Sequence, residues 1–162
     1  MLTELYIPSD NKRLTEKYIG EGKGICGISC LAIIEKRTVK NVLRDFNCKY
    51  KFNGYANVKQ LRKYLESKGY KIKFVNRDSY HDFSKLDYIV RIQWLGEGKK
   101  QEQPFYGWGH WTEATSHTHF IMVMNNKFFC NEENKWQSLP RLHKYLAEGN
   151  GIMTSYLEVS GC

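Results

Sequence analysis

The chain has 162 residues, which suits one domain better than two and can bury a core without disulfide staples. Apolar residues make up 41% and aromatic residues 14%, values that exclude wholesale disorder. Lys and Arg number 25 against 17 acidic residues, a net charge of +8 that favours acidic partners. The cations are densest at Lys36, Arg37, Lys40 and Arg44, with Lys49 and Lys51 further on, and no block is long enough to read as a tail.

Along the chain, Met1 to Pro8 reads as a short strand or arm, and Gly20, Gly22 and Gly24 as a flexible run. An apolar stretch from Cys26 to Ile34 then begins abruptly and closes on Glu35-Lys36-Arg37; its length and cationic end predict a buried helix starting at Cys26. Thr38 is an N-cap signal for a second helix with Val39, Val42, Leu43 and Phe46 on one face. Asn57 caps a third, with Val58, Leu61 and Leu65 inward and Gly69 as its stop. Tyr70, Ile72 and Phe74 alternate with polar neighbours as in a strand, and Tyr88 to Leu95 is another. Gly96 to Ser116 reads as a long loop or extended hairpin. Phe120 to Met124 and Lys127 to Cys130 flank Asn125-Asn126, a dipeptide that tolerates positive φ, and so predict a hairpin. Ser138 and Pro140 open a last helix with Leu142, Tyr145 and Leu146 inward and Gly149 at its end; Ile152 to Val159 is a final strand. The expectation is a single α+β domain over residues 1–162, helices first and then a mainly antiparallel sheet.

Five cysteines, an odd number, and an N-terminus too short and polar for a secretory leader predict free thiols in the cytoplasm. No run approaches the ~20 apolar residues of a membrane helix, so no membrane partner is expected. Cys26 stands out among the thiols. A helix N-terminus carries unpaired N–H groups and a partial positive charge, both of which favour the nucleophilic thiolate, and the flanking glycines let a carbonyl approach. The alternative is a small buried hydrophobe, which is the reading for Cys30; Cys48, Cys130 and Cys162 carry no functional signal. Of the five histidines, His81 and His143 read as surface residues, whereas His119, at the mouth of the strand Phe120 to Met124, could face a helix terminus as a base. With a two-residue turn, His119 faces Glu132; one extra loop residue brings Asn131 there instead, and either could orient the ring. Zinc would accept His117, His119, His110 and Cys130, but they lack the paired spacing of a structural site, so no metal or cofactor is expected.

The segment Cys26-Gly27-Ile28-Ser29-Cys30-Leu31-Ala32-Ile33-Ile34 resembles the nucleophile helix of the bacteriocin-leader-processing (double-glycine) peptidases, papain-like thiol proteases. The downstream order is similar too: a capped helix ending at Gly69, the strand Ile89 to Ile92, then His119-Phe120 with apolar residues, a turn, and Asn131 or Glu132. The resemblance spans roughly Gly24 to Trp136. It implies a papain-like fold, Cys26 as nucleophile, His119 as base, and cleavage or transfer at a peptide or isopeptide bond. The family also places a Gln before the nucleophile as an oxyanion donor; here Tyr18 to Gly22 stand there, with no Gln before Gln60. The hairpin between His119 and Asn131 is shorter than in the family, and the Gly96 to Ser116 insertion longer, with Trp94, Trp108 and Trp111 available to wall a groove. Two functions are therefore expected: a thiol hydrolase or acyl-transferase with a protein or peptide substrate, or a catalytically weak papain-like module that binds an acidic host protein or nucleic acid, as a phage or mobile element would encode.

Overall fold

The computed structural model describes residues 5–75, 83–84, 86–95 and 114–161. Four helices lead: α1 (Asn11–Gly20), α2 (Cys26–Glu35), α3 (Val39–Tyr50) and α4 (Val58–Ser67). Strands β1 (Lys71–Val75), β2 (Asp87–Leu95), β3 (Ala114–Met124), β4 (Lys127–Cys130) and β5 (Lys135–Ser138) follow, then α5 (Leu139–Gly149) and β6 (Gly151–Ser160). The strands form one six-stranded sheet in the order β1-β6-β2-β3-β4-β5, and every pairing is antiparallel. The α+β class and the mainly antiparallel sheet are as expected.

Alternation along the strands divides the apolar residues between two cores. Phe120, Met122 and Met124 of β3 join Ile89, Leu157 and Phe129 under α1 to α4. Ile121 and Val123 join Val90, Ile92, Phe128 and Tyr156 under Leu142 and Leu146 of α5. Buried on both faces, β3 reads as a continuous apolar run rather than an alternating one. Helix α2 shows the same effect: Cys26 to Ile34 are all buried between the sheet and the other helices.

Local signals account for most boundaries. Thr38 accepts from the Asn41 amide, and Asn57 and Gln60 form a reciprocal capping box at α4. Asn125 and Asn126 both have positive φ, 56° and 58°, and Met124 pairs with Lys127, the two-residue turn expected.

Several expectations change. Helix α1 and strand β5 are additions to the elements expected from the sequence. Strand β3 begins at Ala114, so His119 is the sixth residue of an eleven-residue strand and not its mouth. In β1 only Ile72 is buried, and Phe74 is 43% exposed, because β1 is an edge strand. Ser138 makes no side-chain cap bond, and the left-handed residue ending α5 is Asn150 rather than Gly149. Trp94 packs edge-to-face on Tyr145 at 5.5 Å and against Gly149 and Gly151, where any side chain would meet its ring; it supports α5 instead of walling a groove. Trp108, Trp111, His81, His110, Cys162 and most of the Gly96 to Ser116 segment lie outside the described residues. Among the described residues, no helix is long and apolar enough to cross a membrane.

Candidate active site

Cys26 occupies the first position of α2. Its N-cap, Ile25, has no side-chain acceptor, so no side-chain cap satisfies the amides of the first turn. The Cys26 sulfur accepts the Phe120 N–H at 3.4 Å, where β3 extends past the end of β4. The Gly27 N–H also reaches it. These two bonds favour the thiolate, but burial outweighs them and pushes the thiol up to about 11. Residual exposure of Cys26 is 8%. Gly27 serves packing: a side chain there would press on Leu61 and Ala56 of the α4 region, so its small size brings α2 and α4 together.

His119 is the residue before Phe120. Its cross-strand partner, Ile92, belongs to the core under α5, and alternation sends the imidazole to that face. There Nε2 lies 3.2 Å from the Cys130 sulfur. Burial lowers the imidazole to about 4, so it is neutral at physiological pH. The Cys130 sulfur is also approached by the Tyr145 hydroxyl and by the amides of Glu132 and Glu133, and burial still raises its pKa. Cys26 therefore meets β3 from the α1–α4 side while His119 leaves it toward α5, and the two side chains share a strand without sharing a hydrogen bond.

Asn131 follows Cys130 in the turn between β4 and β5. It is buried, and its side-chain N–H donates to the Thr15 hydroxyl at 3.2 Å, while Oδ1 has no hydrogen-bond partner among the described residues. Asn11 of α1, fully buried, completes the surroundings. Its N–H group donates to the Asn131 carbonyl at 3.0 Å and to Asn134 Oδ1 at 2.8 Å, and its Oδ1 accepts from the Ser29 hydroxyl at 2.7 Å. This network ties α1 and α2 to the turn. It also occupies the one amide side chain that α1 buries, so Asn11 does not stand in for the upstream Gln. Glu132 is exposed, close enough for its charge to raise the thiols of Cys26 and Cys130.

Cys26 thus reaches the corner where β4 ends from the α1–α4 side of the sheet and His119 from the α5 side; the imidazole's partner is Cys130, whose sulfur the Tyr145 hydroxyl also approaches, and Asn131 is bonded to Thr15. The β3–β4 pairing stops at Met122 and Phe129, so the extrapolated register that set His119 opposite Glu132 does not extend to the turn. The local sequence around Cys130 carries no signal for its contact with His119; the hairpin register, which places the two diagonally across from each other, does. Cys30 is buried core, His143 and Cys48 are exposed, and the described cysteines are all free. Among the described residues no group of three His, Cys, Asp or Glu side chains could hold a metal ion. Neither protein-family models, nor curated proteins, nor solved structures give a match to the chain.

Proposed function

We propose that the chain is a thiol hydrolase or acyl-transferase of papain-like type, acting on a peptide or isopeptide bond with Cys26 as nucleophile and His119 as base. The observation that supports this reading is the position of the Cys26 sulfur. It sits at the uncapped first turn of α2, bonded to the amide of the residue that follows His119. The resemblance of Cys26 to Ile34 to the nucleophile helix of the leader-processing peptidases supports it independently.

Both groups are neutral at physiological pH, so the chemistry is general-base catalysis and not attack by a preformed ion pair. On this reading the imidazole must leave Cys130 and reach the Cys26 sulfur around the end of β4, where the β3–β4 pairing has stopped. It takes the Cys26 proton as sulfur bonds to the carbonyl carbon, and the π pair moves onto oxygen, held by the amides of the α2 first turn. Collapse of the tetrahedral species breaks the C–N bond, and the imidazolium returns its proton to the departing amine. Water or an amine then attacks the thioester and restores the thiol. Asn131, whose Oδ1 has no partner among the described residues, or Glu132 orients the ring.

A diglycine-ended peptide aldehyde, followed by mass mapping of the protein, tests the reading. The expected result is a hemithioacetal on Cys26 that is lost in His119→Ala and kept in Cys130→Ser. An adduct only on exposed Cys48, or none, would remove the proposal. A second reading, a catalytically silent papain-like binding module, is favoured by the direction in which burial moves both groups, away from an ion pair. Its signature is absence of the aldehyde adduct together with iodoacetamide labelling of Cys26 far slower than that of Cys48.

A further inference from the structure

Helices α1 and α3 enclose a cleft of about 540 Å³, lined on one wall by Arg13, Leu14, Lys17 and Tyr18 and on the other by Lys40, Leu43, Arg44 and Asn47. Lys23 and Phe52, from the segments beyond α1 and α3, complete it. The volume is that of a small-molecule pocket, typically ~300–1,000 Å³. Its charge is one-sided. Each helix contributes an i, i+4 pair of cations, Arg13 with Lys17 and Lys40 with Arg44, so that four positive side chains share one cavity, with Lys23 as a fifth. No carboxylate lines it among the described residues.

Glu16 and Glu21 do not line it, and the nearest acids of the facing helices, Asp10 and Asp45, are engaged elsewhere. Asp10 accepts from the Val39 and Lys40 amides at 2.8 and 2.9 Å, capping α3. Asp45 is held by Arg37 at 2.8 Å and by Lys68 at 3.4 Å, and of the cations that line the cleft it meets Arg44, at 3.7 Å. Arg13, Lys17, Lys23 and Lys40 form no ion pair among the described residues. Folding has thus sorted the basic segment recognised in the sequence: Arg37 is neutralised by Glu35 and Asp45, whereas Lys40 and Arg44 turn into the cleft. Two half-buried rings, Tyr18 and Phe52, meet edge-to-face at 6.1 Å in the same cavity.

We infer that this cleft binds a nucleotide, either free or as a residue of a single-stranded nucleic acid. Phosphates deliver several charges within one small volume, which a cluster of five cations around one cavity matches. Carboxylates of an acidic polypeptide are spaced along an extended chain and would need an elongated basic strip. Planar bases find ring surface in Tyr18 and Phe52, the combination of stacking and cationic contacts that single-strand sites use. The site is separate from the thiols: Asn11 and Thr15 of α1 face Asn131, while Arg13 and Lys17 face the cleft. The inference therefore holds whether or not Cys26 turns over.

The test is titration of the full chain with ATP, with a fluorescein-labelled oligo(dT) of about twelve nucleotides and with poly-glutamate, at low and moderate salt. The oligonucleotide should bind, and binding should weaken steeply as salt rises. The exposed pair Lys17→Glu/Lys40→Glu should lose about tenfold or more in affinity, while Lys71→Glu/Lys73→Glu on β1 should change it less than about threefold. Should charge reversal prevent folding, Lys17→Gln/Lys40→Gln carries the same expected direction. Tyr18→Leu should weaken binding of the folded protein. ATP binding at the same site supports a free nucleotide, and binding of the oligonucleotide alone supports a strand. The inference is overturned by absence of binding to both phosphate probes at low salt, or by equal losses from the two charge reversals. It is also overturned if poly-glutamate binds as tightly as oligo(dT) and Tyr18→Leu changes neither, which would assign an acidic polypeptide.

Discussion

Asn11 shows how one buried side chain fixes the geometry of the candidate site. It makes three hydrogen bonds, to Ser29, Asn131 and Asn134, and none of its surface is exposed. A buried amide is tolerable only when so satisfied, and truncating it orphans its partners as well as leaving a void. Asn11→Ala should therefore cost about 2–4 kcal/mol, read as a lower urea midpoint at unchanged slope. Ser29→Ala should cost less, about 1–2 kcal/mol, since it removes one donor and leaves one acceptor unmet. Coupling is expected too: in a double-mutant cycle, Asn11→Ala and Asn134→Ala should sum to more than the double variant loses. None of these partners lies within ten residues of Asn11, which is why nothing in the local sequence announced the network. Cys26 was legible for the opposite reason, because its signal is local: glycines, then the start of an apolar helix.

At the scale of elements, helix termini divide into those that sequence announces and those it conceals. Thr38 and Asn57 announce α3 and α4 because a side-chain acceptor three residues before its amide donor is a short-range feature. Helix α1 lacks such a signal; Asp10, just before it, spends its carboxylate on α3 instead, a long-range choice invisible to local reading. Termination is concealed in the same way. Helices α2, α3 and α5 end on Lys36, Lys51 and Asn150 in the left-handed region, with φ of 54°, 51° and 55°, where glycine would be the expected residue. A lysine there carries the strain of a Cβ near the following carbonyl. Lys51 is exposed, so Lys51→Gly should raise stability by about 0.5–1 kcal/mol, measurable as a shift in melting temperature. Gly27 is the converse case. A methyl group there would lie 3.1 Å from a Leu61 carbon, and the overpacking of α2 on α4, about 1–3 kcal/mol, is offset by the ~1 kcal/mol that alanine gains over glycine in a helix, so Gly27→Ala should cost about 0–2 kcal/mol.

Across the whole molecule, the sheet separates two buried titratable groups that limit stability from opposite ends of the pH scale. His119 projects toward α5 and Cys26 packs under α1 to α4, and desolvation holds both in their neutral forms. For His119 the folded value, about 4, lies below its ordinary 6.5, so between them the unfolded chain binds more protons than the folded one. Its contribution is fully present above about pH 6.5 and is lost as pH falls toward 4, to an extent of about 3 kcal/mol. For Cys26 the folded value, about 11, lies above its ordinary 9.0. Above 9 the unfolded chain releases a proton that the folded chain retains, so stability declines as pH rises toward 11, by about 2–3 kcal/mol. Urea midpoints across pH should thus form a plateau between about 6.5 and 9, with both limbs falling. His119→Gln should remove the part of the acid limb between about 6.5 and 4 without altering the alkaline one; Cys26→Ser, whose hydroxyl does not titrate in this range, should make only the alkaline limb shallower, not flat, because burial also raises Cys30, Cys130, Tyr64 and Tyr145. An acid limb unchanged in His119→Gln would mean that the imidazole titrates normally, as it would if the ring spent its time in water rather than against Cys130. That outcome would also favour an open catalytic corner, because a solvated imidazole is the form ready to take a proton from Cys26.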